Sequence, residues 1–491
     1  MKLITIIIFI IIFLTNCQVD TSQELVLKVE KEEKIKLIDQ YVTQLAKQDH
    51  FSGNILVAKN GLIHLKKAFG YAHLGFKIKN TVDTKFNYAS IGKSFTAILI
   101  FQLLEKGQLS LSDTLGKYLP DYPNKTIREQ VTIKQLLTHR SGVPNIFGNE
   151  IYLKSSKSQY RSLHDFATIY EQSPMESLPN EQFSYRNTNY ILLGRIIEKI
   201  VNKPYNEHLQ TNILDPLKMS NTGNFDQDHV IPNMAEGYTL SDLHPNKYQL
   251  NTFMGTVKGN SAGGGYTTLE DLFLFTKALK NYSLLDSTRT ALFTHPMDSV
   301  SHYGYGMQFP YPNTANIYGH SGGHFGIGAE WSIYRKEGYT IILLTNRDVD
   351  QGFLEMRFYI QQLLSGTTPS LQAYFFTKKI ITTYLELGYD KALELIHSDL
   401  SKVSETGLNA RGYEYLKRGQ LKKAIDLFKL ECTAFPTSSN AFDSLGEAYL
   451  KNDNPTLALI NYQKSLSLDP TNKHAETIVV QLKRVAPLTS E

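Results

Sequence analysis

Two strand hairpins that lie far apart in the chain constrain its fold more than any other feature of the sequence. The first, residues 53–69, consists of two apolar, β-rich runs on either side of an Asn-Gly turn, which is a strong hairpin signal. The second, residues 329–344, has the same form around Glu337-Gly338. A long stretch rich in helical patterns separates them. We therefore predict an α+β domain whose antiparallel sheet is built from the two ends of the domain.

The chain is long enough for two or three domains. Its 491 residues exceed what one typical hydrophobic core supports. We predict the first domain over residues 36–364, with a helix at Met356–Leu364 closing it. Residues 365–403 are interpreted as a linker, beginning with the segment Ser365–Ser370, followed by degenerate helices.

Residues 404–486 contain an internal repeat with a period of 34 residues. The paired positions carry small, aromatic or proline residues: Gly412 and Gly446, Tyr415 and Tyr449, Ala424 and Ala458, Phe428 and Tyr462, and Pro436 and Pro470. The period and pattern resemble the tetratricopeptide family. The resemblance implies an all-α array of helical hairpins, and such arrays present a concave surface to a peptide or protein partner.

The amino terminus has the pattern of an export signal. Residues 1–16 carry one lysine and then an apolar run that is short for a permanent membrane span. The following Cys17 lies where bacterial lipoproteins carry the lipidated cysteine, although Asn16 replaces the usual small residue. We predict a lipoprotein signal, a polar tether over 17–35, and an exported protein anchored to the membrane of the cell envelope. Plain secretion and an uncleaved anchor remain alternatives.

Charge and cysteine content exclude several functional classes. The net charge is only +4, and no Lys/Arg run is dense enough to follow a phosphate backbone, so nucleic-acid binding is not expected. The two cysteines, Cys17 and Cys432, are too few for a disulfide scaffold, a zinc site or an iron–sulfur site. We expect no metal and no cofactor.

A serine and a lysine three residues apart begin an unusually apolar helical pattern. Ser90 and Lys93 precede a run that ends near Leu104, and a helix that is apolar on every side belongs inside a domain. A buried lysine at the positive end of a helix can lose its charge and activate a serine hydroxyl. On its own the pattern also fits an N-cap serine followed by a solvated lysine. A phosphate-binding loop is rejected, because Asn87 stands where that loop needs glycine.

Two further motifs identify a family resemblance. Tyr185 and Asn187 directly precede an apolar helical pattern, and His320, Ser321 and Gly322 precede the second hairpin. With Ser90 and Lys93, these motifs resemble the serine beta-lactamase and penicillin-binding protein superfamily in order and spacing. The nearest branch is the class C enzymes with their esterase, D-aminopeptidase and DD-peptidase relatives. The segments Leu136–Gly142 and Ala262–Thr268 also look familial. The resemblance covers about residues 36–364 and implies a sheet flanked by helices with an all-helical subdomain.

The resemblance implies a role for each motif residue. Ser90 would attack a carbonyl carbon and form an acyl-enzyme. Lys93 and Tyr185 would share the general-base work, with the lysine charge lowering the phenol pKa, and Tyr185 would return a proton to the leaving group. Asn187 would hydrogen-bond Lys93 and a substrate amide.

The oxyanion hole and the substrate strand would come from the last motif. The backbone N–H groups of Ser90 and Gly323 would stabilise the tetrahedral intermediate. Gly322 and Gly323 would let the substrate approach the strand backbone closely.

His320 stands where beta-lactamases and DD-peptidases usually carry lysine. A histidine with an unperturbed pKa near 6.5 is mostly neutral at pH 7 and supplies no fixed charge for a substrate carboxylate. We therefore predict a serine hydrolase of an ester or peptide/amide substrate, similar to the esterase or D-aminopeptidase/DD-peptidase branches. A true beta-lactamase, or a catalytically silent, membrane-tethered scaffold that binds through the repeats, remains an alternative.

Overall fold

The strands at the two ends of the first domain form one sheet in the computed structural model, which describes residues 30, 32–241, 244, 247–297, 302–310, 316–349 and 351–485. The strands are β1 Gly53–Lys59, β2 Leu62–Phe69, β3 Tyr71–His73, β4 Ile78–Lys79, β5 Phe86–Asn87, β6 Tyr238–Leu240, β7 Tyr248–Leu250, β8 Tyr266–Thr267, β9 Ile317–His324, β10 Ile327–Tyr334 and β11 Tyr339–Thr345. Five of them form the main sheet in the order β2-β1-β11-β10-β9. Every neighbouring pair in it is antiparallel. The predicted α+β class is confirmed.

Helices fill the sequence between the strands and after them. Those before the last three strands are α1 over 32–47, α2 Gly92–Glu105, α3 Leu115–Tyr118, α4 Lys125–Gln130, α5 Ile133–Leu137, α6 Glu150–Lys154, α7 Ala167–Tyr170, α8 Asn187–Val201, α9 Tyr205–Leu209, α10 Leu269–Lys280 and α11 Ser287–Thr294. After the sheet follow α12 Gln351–Ser365, α13 Pro369–Leu387, α14 Tyr389–Ser398, α15 Glu405–Lys417, α16 Leu421–Ala434, α17 Ser439–Lys451, α18 Pro455–Leu468 and α19 Lys473–Val485. None of the helices in the described segments is both long and apolar enough to cross a bilayer. The predicted export signal and Cys17 lie outside the described residues.

The chain forms two units. One comprises the described residues up to Thr239 together with Gln249–Ser365, and the other comprises those of Leu240–Tyr248 and from Gly366 onward. The connection between α12 and α13 is shorter than the predicted linker, because Thr368 accepts a hydrogen bond from the N–H of Leu371 and Pro369 is the first helical residue. A Thr-Pro pair that looks like a linker in the sequence is therefore a helix start.

Helix α2 is the centre of the core in the first unit. Residues 92–101 are all buried, as expected for a helix with apolar residues on every side. Aromatic rings surround it; Phe95 lies 4.8 Å from Phe275 between ring centroids in an edge-to-face arrangement. The start of α2, which carries Ser90 and Lys93, is therefore held by packing from several elements.

The second unit contains helix pairs in which a glycine of one helix faces an aromatic ring of the next. A Cβ atom on Gly412 in α15 would lie 2.4 Å from the Phe428 ring of α16, and one on Gly446 in α17 would lie 3.0 Å from the Tyr462 ring of α18. The missing side chains thus allow the helices of each pair to approach closely. Cys432 is a free, partly buried thiol in this unit.

Candidate active site

Ser90 lies in a tight turn directly before α2. The turn, Ala89–Ile91, is a short 3₁₀ segment, and Ala89 has a φ of +47°, a left-handed conformation that costs energy for a residue with a side chain. The side chain of Asn87 holds this turn: its Oδ1 accepts from the N–H of Ala89 at 2.8 Å, and its Nδ2 donates to the carbonyl of Gly264 at 2.9 Å. Asn87 was singled out in the sequence only as the reason to reject a phosphate-binding loop.

Two glycines allow the backbone to pass next to Ser90. A Cβ atom on Gly263, whose φ is +129°, would lie 2.0 Å from the carbonyl oxygen of Ala89. One on Gly322 in β9 would lie 2.4 Å from the backbone nitrogen of Ser90. The edge strand and the serine turn are therefore in close contact at Gly322.

Lys93 is completely buried and makes three short contacts. Its Nζ lies 3.0 Å from Ser90 Oγ, 2.8 Å from Asn187 Oδ1 and 2.6 Å from the carbonyl oxygen of Ala262. Burial lowers the pKa of Lys93 well below the usual 10.5. A neutral amine has two N–H donors and one lone pair. The two acceptors, Asn187 and Ala262, can use both donors, which leaves the lone pair for the serine hydroxyl.

Tyr185 lies against the same group of side chains. Lys93 Nζ lies 5.0 Å from the centre of its ring, and its phenol is close enough to Ser90 for the serine side chain to lower the phenol pKa slightly. Burial raises the pKa of the Tyr185 phenol above its usual 10.0. The expectation that the lysine charge lowers this pKa is therefore wrong, because the same burial that desolvates the phenol also favours the neutral form of the lysine.

His139 is a site residue whose role the sequence analysis missed. It lies in the familial segment Leu136–Gly142, which was the available signal. Its ring is 4.3 Å from the Tyr185 ring between centroids, and its Nδ1 accepts from the backbone N–H of Arg186 at 3.2 Å and lies 2.9 Å from Asn189 Nδ2. His139 thus fixes the loop that carries Tyr185 and Asn187. Burial lowers its pKa well below 6.5, so it does this as a neutral ring.

His320 is buried in β9 and is neutral. Its Nδ1 lies 2.6 Å from the carbonyl oxygen of Ser321 and its Nε2 lies 3.0 Å from the hydroxyl of Tyr303. A carbonyl can only accept, so Nδ1 carries the proton and Nε2 accepts from the phenol. Burial, with a smaller contribution from the charge of Lys93, lowers the pKa of His320 to about 3. This side chain therefore supplies no positive charge at neutral pH.

Gly323 lies on the outer strand of the sheet, two residues after Ser321. The backbone N–H of Ser321 points away from β10, because it donates to Gln308 Oε1 at 3.0 Å. Backbone groups two residues apart on a strand point the same way, so the N–H of Gly323 also points outward. The turn that carries Ser90 packs against the neighbouring Gly322.

The structure thus brings together Ser90, Lys93 and Asn187 by direct contact, with the Tyr185 ring beside Lys93 and Gly322 against the serine backbone. The His320 ring lies 6.5 Å from the Tyr185 ring between centroids. Within the described segments, no three His, Cys, Asp or Glu side chains are grouped closely enough to hold a metal ion. The arrangement pairs a serine hydroxyl with a buried amine and a neutral phenol, which suits acyl transfer.

Comparisons with known proteins point to the same chemistry. A family model described as Beta-lactamase matches residues 38–365. The chain is 28% identical over 324 residues to the teichoic acid D-alanine hydrolase of Staphylococcus aureus, covering 64% of this chain and 74% of that protein.

Solved structures give a similar result. A penicillin binding protein from Bacillus halodurans superposes with a TM-score of 0.60 and 30% identity, covering 66% of this chain and 98% of its own. The D-amino acid amidase of Ochrobactrum anthropi, at 21% identity and a TM-score of 0.56 over 66% of this chain and 98% of its own, supports the fold alone.

Proposed function

Because the chain belongs to the Beta-lactamase family and is a serine hydrolase of it, we propose that Ser90 is its nucleophile and that its substrate is an ester or amide of a D-amino acid, with D-alanyl esters as the first choice. One observation carries the proposal: the buried Nζ of Lys93 contacts Ser90 Oγ while its two donors are engaged by Asn187 and Ala262. The name of the Staphylococcus aureus hydrolase supports the substrate class.

In the acylation step, Lys93 takes the hydroxyl proton as Ser90 Oγ attacks the carbonyl carbon. The lowered pKa of Lys93 makes its neutral form available at moderate pH. The carbonyl oxygen becomes negative and is stabilised by the N–H groups of Ser90 and Gly323, each such donor being worth about 10² to 10³ in rate. Tyr185, whose raised pKa keeps it protonated, gives its proton to the leaving alcohol or amine and is reprotonated from Lys93.

Deacylation reverses these roles. Water replaces the leaving group beside Tyr185, loses a proton to the basic pair, and attacks the ester bond between Ser90 and the acyl group. The products are the free acid and the regenerated serine. Asn187 keeps Lys93 oriented during both steps through its 2.8 Å hydrogen bond.

The pH dependence of the reaction follows from these assignments. We expect kcat/KM to fall as the pH drops through the lowered pKa of Lys93, because protonation removes the base. No inflection should come from His320, whose pKa is already near 3, and no decline from Tyr185 below about pH 10, since its pKa is raised. A pH profile of ester hydrolysis checks this. A rate that does not fall as the pH drops, or a decline with rising pH below about pH 10, would contradict the assignment.

A substrate panel tests the reaction class. We expect hydrolysis of a D-alanyl ester and of D-alanine p-nitroanilide to exceed hydrolysis of nitrocefin, because neutral, buried His320 offers no charge for the carboxylate of a beta-lactam. The L-alanyl ester serves as the stereochemical control. Nitrocefin as the clearly preferred substrate would favour a true beta-lactamase, and no turnover of any substrate would favour a silent scaffold.

We also propose that the enzyme is exported and held at the cell envelope by a lipid on Cys17. The apolar run of residues 3–14 and the cysteine after it support this, and so does the teichoic acid substrate named for the Staphylococcus aureus relative. A chain that takes up no tagged fatty acid during growth would contradict it. The helix pairs of the second unit, with glycines at 412 and 446 facing aromatic rings, support the proposal of tetratricopeptide repeats over 404–486 that present a surface to a peptide or protein.

A further inference from the structure

A cavity of about 300 Å³ lies along the outer strand of the sheet and is lined in part by residues of the candidate active site. Its lining includes Tyr185 and His320 together with Glu330, Ser332 and Arg357. Since neighbouring residues of a strand face opposite sides of a sheet, and Glu330 pairs across the strands with Ser321 rather than with His320, the lining residues come from both faces of the sheet beside β9.

Arg357 of α12 is held in this cavity by a buried carboxylate. Its Nε lies 3.0 Å from Glu330 Oε2, and the Glu330 side chain is only 5% exposed. The hydroxyl of Ser332 donates to the other oxygen of Glu330. This ion pair with a buried carboxylate restrains the guanidinium group of Arg357, and with it the orientation of the two terminal nitrogens.

The two terminal nitrogens of Arg357 are available to a ligand. Among the described residues, they have no hydrogen-bond acceptor, while the side chain is still 28% exposed. Of the described residues that line the cavity, Arg357 is the only arginine or lysine. A guanidinium group with its two terminal N–H edges open binds carboxylate and phosphate oxygens in a bidentate manner.

The position of Tyr185 decides which part of a substrate meets Arg357. In the proposed function, on which this inference rests, Tyr185 donates its proton to the leaving group. A cavity that Tyr185 lines is therefore placed to receive the leaving group rather than the acyl group.

We propose that the Arg357 subsite binds a singly charged oxyanion on the leaving alcohol or amine, either a carboxylate or a phosphodiester. Glu330 is a positioning residue that acts through Arg357. The reaction is unchanged in its balance: the acyl–oxygen or acyl–nitrogen bond breaks, water supplies the hydroxyl of the released acid, and the leaving group departs protonated with its anion intact.

Three D-alanyl esters with the same acyl group test the proposal on the full chain. The leaving alcohols are glycerol, which is neutral, the methyl phosphodiester of glycerol, and D-lactate. We expect kcat/KM for at least one anionic ester to exceed that for the glycerol ester by about 10- to 100-fold. In Arg357→Gln this ratio should fall to near one. The preferred anion identifies its source, carboxylate or phosphodiester.

Two further variants keep the test decisive. Arg357→Lys preserves the charge next to Glu330 but not the two parallel N–H groups, so its ratio of kcat/KM for the anionic and glycerol esters should fall below that of the native chain. This variant replaces Arg357→Gln if the glutamine variant does not fold. Arg289→Gln removes an arginine whose ion pair with Asp286 lies outside the cavity, and should leave the ratio unchanged. A native ratio near one, or a high ratio that survives in Arg357→Gln, overturns the proposal. Failure of all three esters with the native chain would instead overturn the proposed function.

Discussion

Ser90→Ala should abolish ester hydrolysis, with kcat/KM reduced by about 10⁴-fold or more. In the proposed mechanism the acyl bond forms at the hydroxyl oxygen of Ser90. The variant lacks this nucleophile, although Lys93 and Tyr185 remain in place. Initial rates with a D-alanyl ester measure the loss. Intact-mass measurement after exposure to a fluorophosphonate should show one adduct on the native chain and none on the variant.

Ser94→Ala is the matched control for this change. Ser94 lies four residues further on, in α2, and is fully buried, but its hydroxyl donates to the carbonyl of Gly306 at 2.7 Å and not to a site side chain. We expect it to keep the adduct and most of the activity, with a stability loss of about 1 kcal/mol. An adduct that persists in Ser90→Ala would mean that another residue is the nucleophile.

Lys93→Met should reduce kcat by about 10³-fold, within the range for loss of a general base. Methionine has a similar length and fits an apolar site, but it has no lone pair of comparable basicity for the Ser90 proton. Because the base acts mainly in the chemical step, we expect kcat to fall more than KM rises. Single-turnover rates with the D-alanyl ester measure the effect directly.

The same variant has a stability signature. The unfolded chain protonates Lys93 at an ordinary pKa, whereas burial lowers the pKa in the folded chain, so the unfolded state binds more protons between the two values. The free energy of unfolding of the native chain should therefore rise relative to that of Lys93→Met as the pH increases from the lowered pKa of Lys93 towards its usual 10.5. Urea unfolding at several pH values measures the difference.

Lys85→Met provides the control for a buried lysine outside the site. The Lys85 side chain is also largely buried, and its Nζ donates to the carbonyl of Pro232 at 2.9 Å. It should keep the native kcat. Equal losses of kcat in the two lysine variants would show that the effect of Lys93→Met is structural.

The parts of the fold that are encoded in short segments could be predicted from the sequence. Strand alternation and turn residues located both hairpins, and the apolar character of residues 95–103 indicated that the helix after Ser90 is buried. Burial of that helix is also what makes Lys93 chemically useful. The contact among Ser90, Lys93, Tyr185 and Asn187 was inferred from a family resemblance, since no local pattern brings residues about 95 positions apart together.

Features that depend on the environment in three dimensions could not be predicted. The direction of the Tyr185 pKa shift depends on how strongly the phenol and the Lys93 amine are both desolvated. No sequence pattern shows how deeply either group is buried. The hydrogen bonds of Asn87 and His139 with the backbone could not be predicted from the sequence, because they depend on the conformation of the turns. No sequence pattern singles out Arg357, because its partner Glu330 is 27 positions earlier and on a strand.

The main sheet ends in β9, whose outer edge must stay accessible for catalysis. An accessible strand edge affects the tendency of a protein to aggregate. An unpaired strand edge invites annealing with another molecule into extended intermolecular sheets. Here the side chain of Gln308 already accepts from the backbone N–H of Ser321, and the backbone of Gln308 forms a β-bridge with Gly319. Only a few residues of the β9 edge therefore remain accessible. At the opposite margin, β2 carries Lys66 and Lys67, each in an ion pair. The protein can thus offer main-chain groups to a substrate without offering a template for aggregation.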